Sequence, residues 1–166
     1  MQRQGLQHAI TIRQATSAEF EIALPLVERF FVEEGFQTPP GRIPVQLATL
    51  LGDEESAVFL AWHDDRAGGP HVVGLATVTT TSGIELGLSA ELEDLYVLPE
   101  ARGLGAGGAL IEAVKGWCRS RGCSLVAVVV TPEGQAAHDL FGYYRAHGFE
   151  ETGRTLMFTY LEPPTT

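Results

Sequence analysis

The sequence predicts a mixed α/β domain, and three observations carry that expectation. Short apolar, β-branched runs alternate with segments of helical periodicity along all 166 residues. A glycine-rich loop lies between a strand pattern and a helix pattern, and a second apolar run follows that helix, so a parallel strand–helix–strand crossover is expected around the loop. No internal repeat and no low-complexity linker divides the chain, so residues 1–166 are expected to form one domain. The length allows roughly 70% of the unfolded surface to be buried, so no disulfide or metal is needed to close the core.

In order, residues 8–13 have the pattern of a first strand. Thr16, Ser17, Ala18 and Glu19 form a capping-box sequence, and Phe20, Ala23, Leu24, Val27, Phe30 and Phe31 follow at helical spacing. Pro25 within that helix is expected to kink or split it. A turn at 38–41 leads to a short helix over 44–51 that Gly52 ends. Residues 57–63 and 71–80 form a hairpin, and 91–98 a further strand. A helix over about 104–121 presents Leu110, Ala113, Val114, Trp117 and Cys118 on one face. The uninterrupted apolar run 125–130 predicts a central strand buried on both faces. Residues 134–147 predict one helix and 155–161 a last strand, for a central mixed sheet of about six or seven strands flanked by helices.

Composition removes several functions. The formal charge is -10 with a pI near 4.8, which offers no basic footprint for nucleic acid. The longest apolar runs are six residues, too short to span a bilayer, and residues 1–14 lack a signal-peptide core, so a cytoplasmic protein is expected. Cys118 and Cys123 form no paired motif and the five histidines are scattered, so no metal site is expected. The absence of a G-x-S-x-G elbow leaves hydrolase chemistry unsupported. Residues 1–100 hold 15 acids and 5 bases, whereas 101–166 hold 6 of each. The first part therefore carries the whole negative charge.

The loop Arg102, Gly103, Leu104, Gly105, Ala106, Gly107, Gly108 leaves several backbone N–H groups unobstructed at a helix N-terminus, an anion cradle suited to a pyrophosphate. Arg102 adds a charged clamp. Gly103-x-Gly105-x-x-Gly108 matches the dinucleotide fingerprint literally, but four residues separate it from its strand and only 58 follow it, too few for a doubly wound sheet. No Gly-Lys-Ser/Thr follows, which removes a Walker loop.

Arg102-x-x-Gly105-x-Gly107 resembles the Q/R-x-x-G-x-G/A loop of the GNAT superfamily of N-acetyltransferases, which cradles the pyrophosphate of coenzyme A. Residues 92–99 resemble the strand that precedes that loop, and Tyr144-x-x-x-Gly148-Phe149 resembles the superfamily's Tyr-x-x-x-Gly-Phe. The order of elements also fits, so the resemblance covers nearly the whole chain. Many relatives carry Asn seven residues before the Tyr, where this chain has Ala137 with His138 beside it.

The resemblance implies a three-layer fold and acetyl-CoA as co-substrate, held by Tyr96, Val97, residues 102–108 and Tyr144. It implies direct acetyl transfer to a primary amine, with the Val97 N–H polarising the thioester carbonyl and Tyr144 protonating the departing sulfur; Tyr143 is the nearest alternative. A phenol near pKa ~10 and a thiol near ~8.5 differ by roughly 2 kcal/mol. Strand alternation places Glu91, Glu93 and Leu95 on one face and Asp94 and Tyr96 on the other. Glu93 is the first candidate for the base, Glu91 an alternative, and Asp94 an anchor for loops or acceptor. Glu33, Glu34, Glu91 and Asp94 could hold a cationic acceptor. The layout resembles small aminoglycoside N-acetyltransferases, particularly the 3-amino type, with a polyamine, an amino acid or a peptide N-terminus as competing acceptors. A non-catalytic acyl-CoA-binding module is the alternative from another class, and a homodimer is an expectation by analogy.

Overall fold

The computed structural model describes residues 10–65 and 68–161. The start of the first predicted strand, His8 and Ala9, lies outside them. The described chain runs β1 (Ile10–Gln14), a 3-10 turn (Ser17–Glu19), α1 (Phe20–Glu34), α2 (Arg42–Gly52), β2 (Ser56–Asp65), β3 (Gly69–Gly83), β4 (Gly87–Val97), a 3-10 turn (Pro99–Ala101), α3 (Ala106–Ser120), β5 (Val126–Val128), α4 (Pro132–His138) and α5 (Leu140–Ala146). The strands form one sheet in the order β1-β2-β3-β4-β5, antiparallel except for the parallel β4–β5 pair on either side of α3.

Three layers result. One apolar cluster joins α1 and α2 to the sheet through Ala23, Leu26, Leu47, Leu60, Leu75 and Tyr96. The other joins α3 and α5 to the opposite face through Val73, Leu92, Leu110, Ile111, Val114 and Tyr144. The capping box forms as its spacing predicts, with Glu19 accepting from the Thr16 N–H at 2.8 Å. Pro25 neither splits nor ends α1, which continues from Phe20 to Glu34 with one backbone donor fewer.

Four expectations are corrected. The sheet has five strands among the described residues, not six or seven. The 125–130 run contributes a three-residue strand at the sheet's edge, not a doubly buried centre: Leu125 and Val129 are exposed and Val126 and Val128 only half-buried. Residues 155–161 pair with no described strand and are exposed throughout. The predicted helix 134–147 is also divided, because Asp139 adopts φ 47°, a left-handed geometry that ends α4 and starts α5.

Candidate active site

The site forms where β4 and β5 part. Their parallel pairing covers only Ala90–Leu92 against Val126–Val128, yet β4 continues to Val97. The remaining backbone of β4 faces a gap on that side. Leu98 donates its N–H to the Val73 carbonyl at 2.8 Å, so ladder alternation directs the Val97 N–H away from β3 and into this gap. A cleft of about 850 Å³ passes through it, lined by Tyr96 and Val97, by Val128 and Val129, by the glycine loop, and by Tyr143 and Tyr144.

The loop supplies the cradle at one end. Gly103 and Gly105 have φ of 83° and 85°, open to glycine at little cost, and Gly105 caps α3 without any side-chain cap. The first-turn N–H groups of α3 are therefore uncovered beside the cleft. Gly107 and Gly108 serve a second purpose that spacing alone does not reveal. A Cβ on Gly107 would strike the Tyr143 hydroxyl, and one on Gly108 would lie 2.9 Å from the His147 ring. Their hydrogen side chains let α5 pack against the start of α3. Leu104 does not line the cleft.

Arg102 is engaged within the protein. Its Nε donates to the Val97 carbonyl at 3.1 Å and its Nη2 lies 3.5 Å from Glu33. Glu33 also pairs with Arg29 at 3.1 Å, and Arg29 grips Glu100 with both terminal nitrogens. Glu34 lies 3.5 Å from His138. Glu33 and Glu34 of α1 thus have basic neighbours.

The acids of β4 do not. Register places Thr77 opposite Asp94 but Val78 opposite Leu92, so Glu93 is the extra residue of a β-bulge. The bulge overturns simple alternation. Thr77 donates to Asp94 at 2.5 Å and Thr79 to Glu93 at 2.6 Å, and these threonines share one face of β3. Glu93 and Asp94 therefore lie on the same face as Glu91 and Tyr96, the α1–α2 side, while Leu95 turns to the α3 side. Among the described residues no Lys, Arg or His pairs with any of the three carboxylates. Burial raises the Asp94 pKa against the Thr77 hydrogen bond, with Glu93 adding repulsion; burial and Glu93 raise that of Glu91. Asp94 and Thr77 also border a smaller pocket of about 230 Å³ beneath α1 and α2.

Tyr144 is 8% exposed, packs edge-on against Phe149 with centroids 5.4 Å apart, and has its phenol pushed up to about 12 by burial and then by Tyr143. The Tyr143 ring lies nearer the loop, between Gly107 and His147, and burial raises its pKa as well. The buried Tyr96 hydroxyl makes no well-formed hydrogen bond; burial and the adjacent Glu33 carboxylate raise it to about 12. Thr77, Thr79 and His147 escaped the sequence reading; the polar residues alternating within the apolar β3 run were the available signal for the threonines.

No described helix is long and apolar enough to cross a membrane, and no group of three potential metal ligands occurs among the described residues. A model of the acetyltransferase (GNAT) family matches residues 19–149. The chain is 37% identical over 161 residues to an aminoglycoside N(6′)-acetyltransferase type 1 of Stenotrophomonas maltophilia, covering 93% of this chain and 96% of that one. It resembles an integron cassette protein from the mobile metagenome of Cole Harbour Salt Marsh, with 30% identity, a TM-score of 0.76, and coverage of 92% and 91%. It also resembles AAC(6′)-Iy in complex with the bisubstrate analogue CoA-S-monomethyl-acetylneamine, with 25% identity, a TM-score of 0.73, and coverage of 92% and 98%. The Stenotrophomonas maltophilia relative and AAC(6′)-Iy are named for the 6′ position, whereas the sequence layout pointed to the 3-amino type.

Proposed function

The chain belongs to the acetyltransferase (GNAT) family, and from that premise we propose that it acetylates a primary amine of a small polycationic acceptor, with the 6′-amine of an aminoglycoside as first candidate. The observation that carries this reading is the trio Glu91, Glu93 and Asp94, without basic partners, on one face of β4 beside the gap to β5. A polycationic amine would compensate that uncovered charge. The name of the 37% identical relative supports the aminoglycoside class and the position.

The residues present fit coenzyme A. The positive-φ glycines and the uncapped start of α3 suit a pyrophosphate, and the β4–β5 gap suits an extended arm that takes strand-like hydrogen bonds. Acetyl-CoA would supply an activated acyl carbon, on which a C–N bond forms to the acceptor as the C–S bond breaks. The acceptor nitrogen gives up one proton in that exchange and the sulfur takes one.

The Val97 N–H faces the gap and would donate to the acyl oxygen, where negative charge develops. Burial makes Asp94 a stronger base than an ordinary carboxylate, so it is the better placed group to take the amine proton; Glu93 and Glu91 hold the cation. This reverses the roles read from the sequence for Glu93 and Asp94. Tyr144 donates toward the sulfur. With its phenol near 12, full transfer to a thiolate near ~8.5 costs roughly 5 kcal/mol, so it acts mainly as a hydrogen-bond donor as the sulfur departs.

Thiol release from acetyl-CoA, measured with an aminoglycoside bearing a 6′-amine, one whose 6′-amine is blocked, spermidine, an amino acid and a peptide, tests the reading. The expected result is kcat/KM for the 6′-amine compound about 100-fold or more above the rest. Coenzyme A binding without thiol release for any amine would leave an acyl-CoA-binding module instead. Turnover confined to spermidine would overturn the aminoglycoside reading.

A further inference from the structure

We infer that His138 is a placeholder for the acceptor: it occupies Glu34 in the free protein, and a second ammonium group of a polycationic acceptor displaces it there. This rests on the polycationic acceptor proposed above, and it names the residue pair that favours several charges over one.

α1 packs on one face of the sheet, whereas α4 leads through Asp139 into α5 on the other face. A sheet ordinarily keeps such helices apart, but here they meet across the cleft. Glu34, the last residue of α1, and His138, the last of α4, lie 3.5 Å apart, Oε1 to Nε2. Both line the cleft. Among the described ion pairs this is the one with both partners in the cleft wall, so it is the pair that a ligand entering the cleft must meet. The neighbouring Glu33 is held by Arg29 and Arg102 and does not line the cleft.

The spot selects a cation. Gly35 ends α1 in left-handed geometry at φ 69° and Asp139 ends α4 at φ 47°, so two helix C-termini converge on the Glu34 carboxylate. Helix C-termini favour positive charge and disfavour negative. Glu34 therefore gains from a cationic partner more than a carboxylate elsewhere on α1 would. An imidazole supplies that charge only when protonated, whereas an alkyl ammonium near pKa ~10.4 is fully charged at neutral pH. The ammonium is the stronger partner.

The exchange is also easy. The His138 side chain is 40% exposed and that of Glu34 24%, and ion pairs so open to water are weak. His138 can turn into solvent once displaced. Glu34 belongs to the helix layer on the side of the sheet that Glu91, Glu93 and Asp94 face, and all four line one cleft. A polycation with its reacting amine at Asp94 has further ammonium groups to place, and Glu34 receives one. A monoamine has none to spare.

Calorimetric titration of the coenzyme A-saturated full chain with kanamycin, a polyamine carrying a 6′-amine, tests this through a double-mutant cycle. His138→Gln should lower the Kd for kanamycin about three- to fivefold, because a weak competitor is removed. Glu34→Gln should raise it about tenfold. In the Glu34→Gln background, His138→Gln should bring no gain. Both side chains are partly exposed, so the three variants should share the wild-type circular dichroism spectrum. A His138→Gln variant that binds kanamycin no better than wild type overturns the inference. So does a gain that persists without Glu34, which would mean that the smaller side chain merely widens the cleft. If wild type binds coenzyme A but neither binds nor acetylates kanamycin, the acceptor reading fails and this inference with it; if kanamycin is acetylated and the cycle is flat, this inference alone fails.

Discussion

The Thr77 hydroxyl donates to Asp94 Oδ2 at 2.5 Å across the bulge of the β3–β4 pair, holding a buried carboxyl beside the cleft. Burial raises that carboxyl's pKa, and Glu93 raises it further. A carboxyl whose folded pKa exceeds its unfolded value favours the folded state below the unfolded pKa, about 3.9, and loses that contribution as pH rises through the folded value. At neutral pH Asp94 is therefore a cost to the fold. Asp94→Asn keeps an acceptor for Thr77 and removes the buried charge. It should raise Tm at pH 7, at about 2–4 °C per kcal/mol for a chain of this size, while lowering kcat by roughly 100-fold or more. The Tm gain should shrink toward pH 4. A variant that loses stability at pH 7, or keeps the wild-type acidic limb of kcat, would return the base role to Glu93.

Two adjacent phenols compete at the cleft, and their packing separates them. Tyr144 is anchored by Phe149 within the α3 cluster, whereas Tyr143 sits at the first turn of α3. Tyr144→Phe should therefore lower kcat about 100-fold with little change in coenzyme A affinity. Tyr143→Phe should chiefly weaken coenzyme A binding, read by calorimetric titration. The reverse pattern would make Tyr143 the donor to sulfur.

Arg102 holds the carbonyl of the same residue whose N–H enters the gap, and in the proposed reaction it would position the Val97 peptide. A lysine keeps the charge but loses the guanidinium's fixed donors. If positioning dominates, Arg102→Lys and Arg102→Ala should both lower kcat by about tenfold. If phosphate attraction dominates, Arg102→Lys should restore most of the coenzyme A affinity and leave kcat intact.

Local signals carried the order of elements and the loop. The capping box at Thr16, the β2–β3 hairpin and the helix behind Gly105 all follow from residues close in sequence. What escaped depends on partners distant in sequence. Residues 125–130 are apolar enough for a central strand, but nothing in their composition says whether a neighbour pairs on the far side. Glu93 and Asp94 share a face only because the β3–β4 ladder slips by one residue, and a single inserted position reverses every later side chain. Asp139 divides two helices because a short polar side chain tolerates left-handed backbone, and nothing in the periodicity of 134–147 marks it.

Gly74 lies in β3 opposite Val97, and a Cβ there would sit 2.7 Å from the Tyr96 carbonyl oxygen and 3.3 Å from Val97 Cγ2. The nearer obstacle is backbone, so Gly74→Ala must displace β4 at the point where it faces the cleft. Overpacking of this kind costs about 1–3 kcal/mol, which corresponds to a Tm lower by roughly 2–12 °C. Gly116 provides the contrast. It is exposed in the middle of α3 with nothing within 4 Å of a Cβ, so alanine there should raise stability by up to about 1 kcal/mol through helix propensity. Gly107→Ala falls between them, because the atom it meets is the end of the Tyr143 side chain, which can turn aside. Calorimetric Tm should therefore rank Gly116→Ala above wild type, Gly107→Ala slightly below and Gly74→Ala lowest. Activity should follow a different order. Gly74→Ala should lower kcat by moving the Val97 N–H, and Gly107→Ala should raise KM for acetyl-CoA by crowding the cradle. A Gly74→Ala variant with wild-type kcat would show that the Val97 peptide is not the group that polarises the thioester.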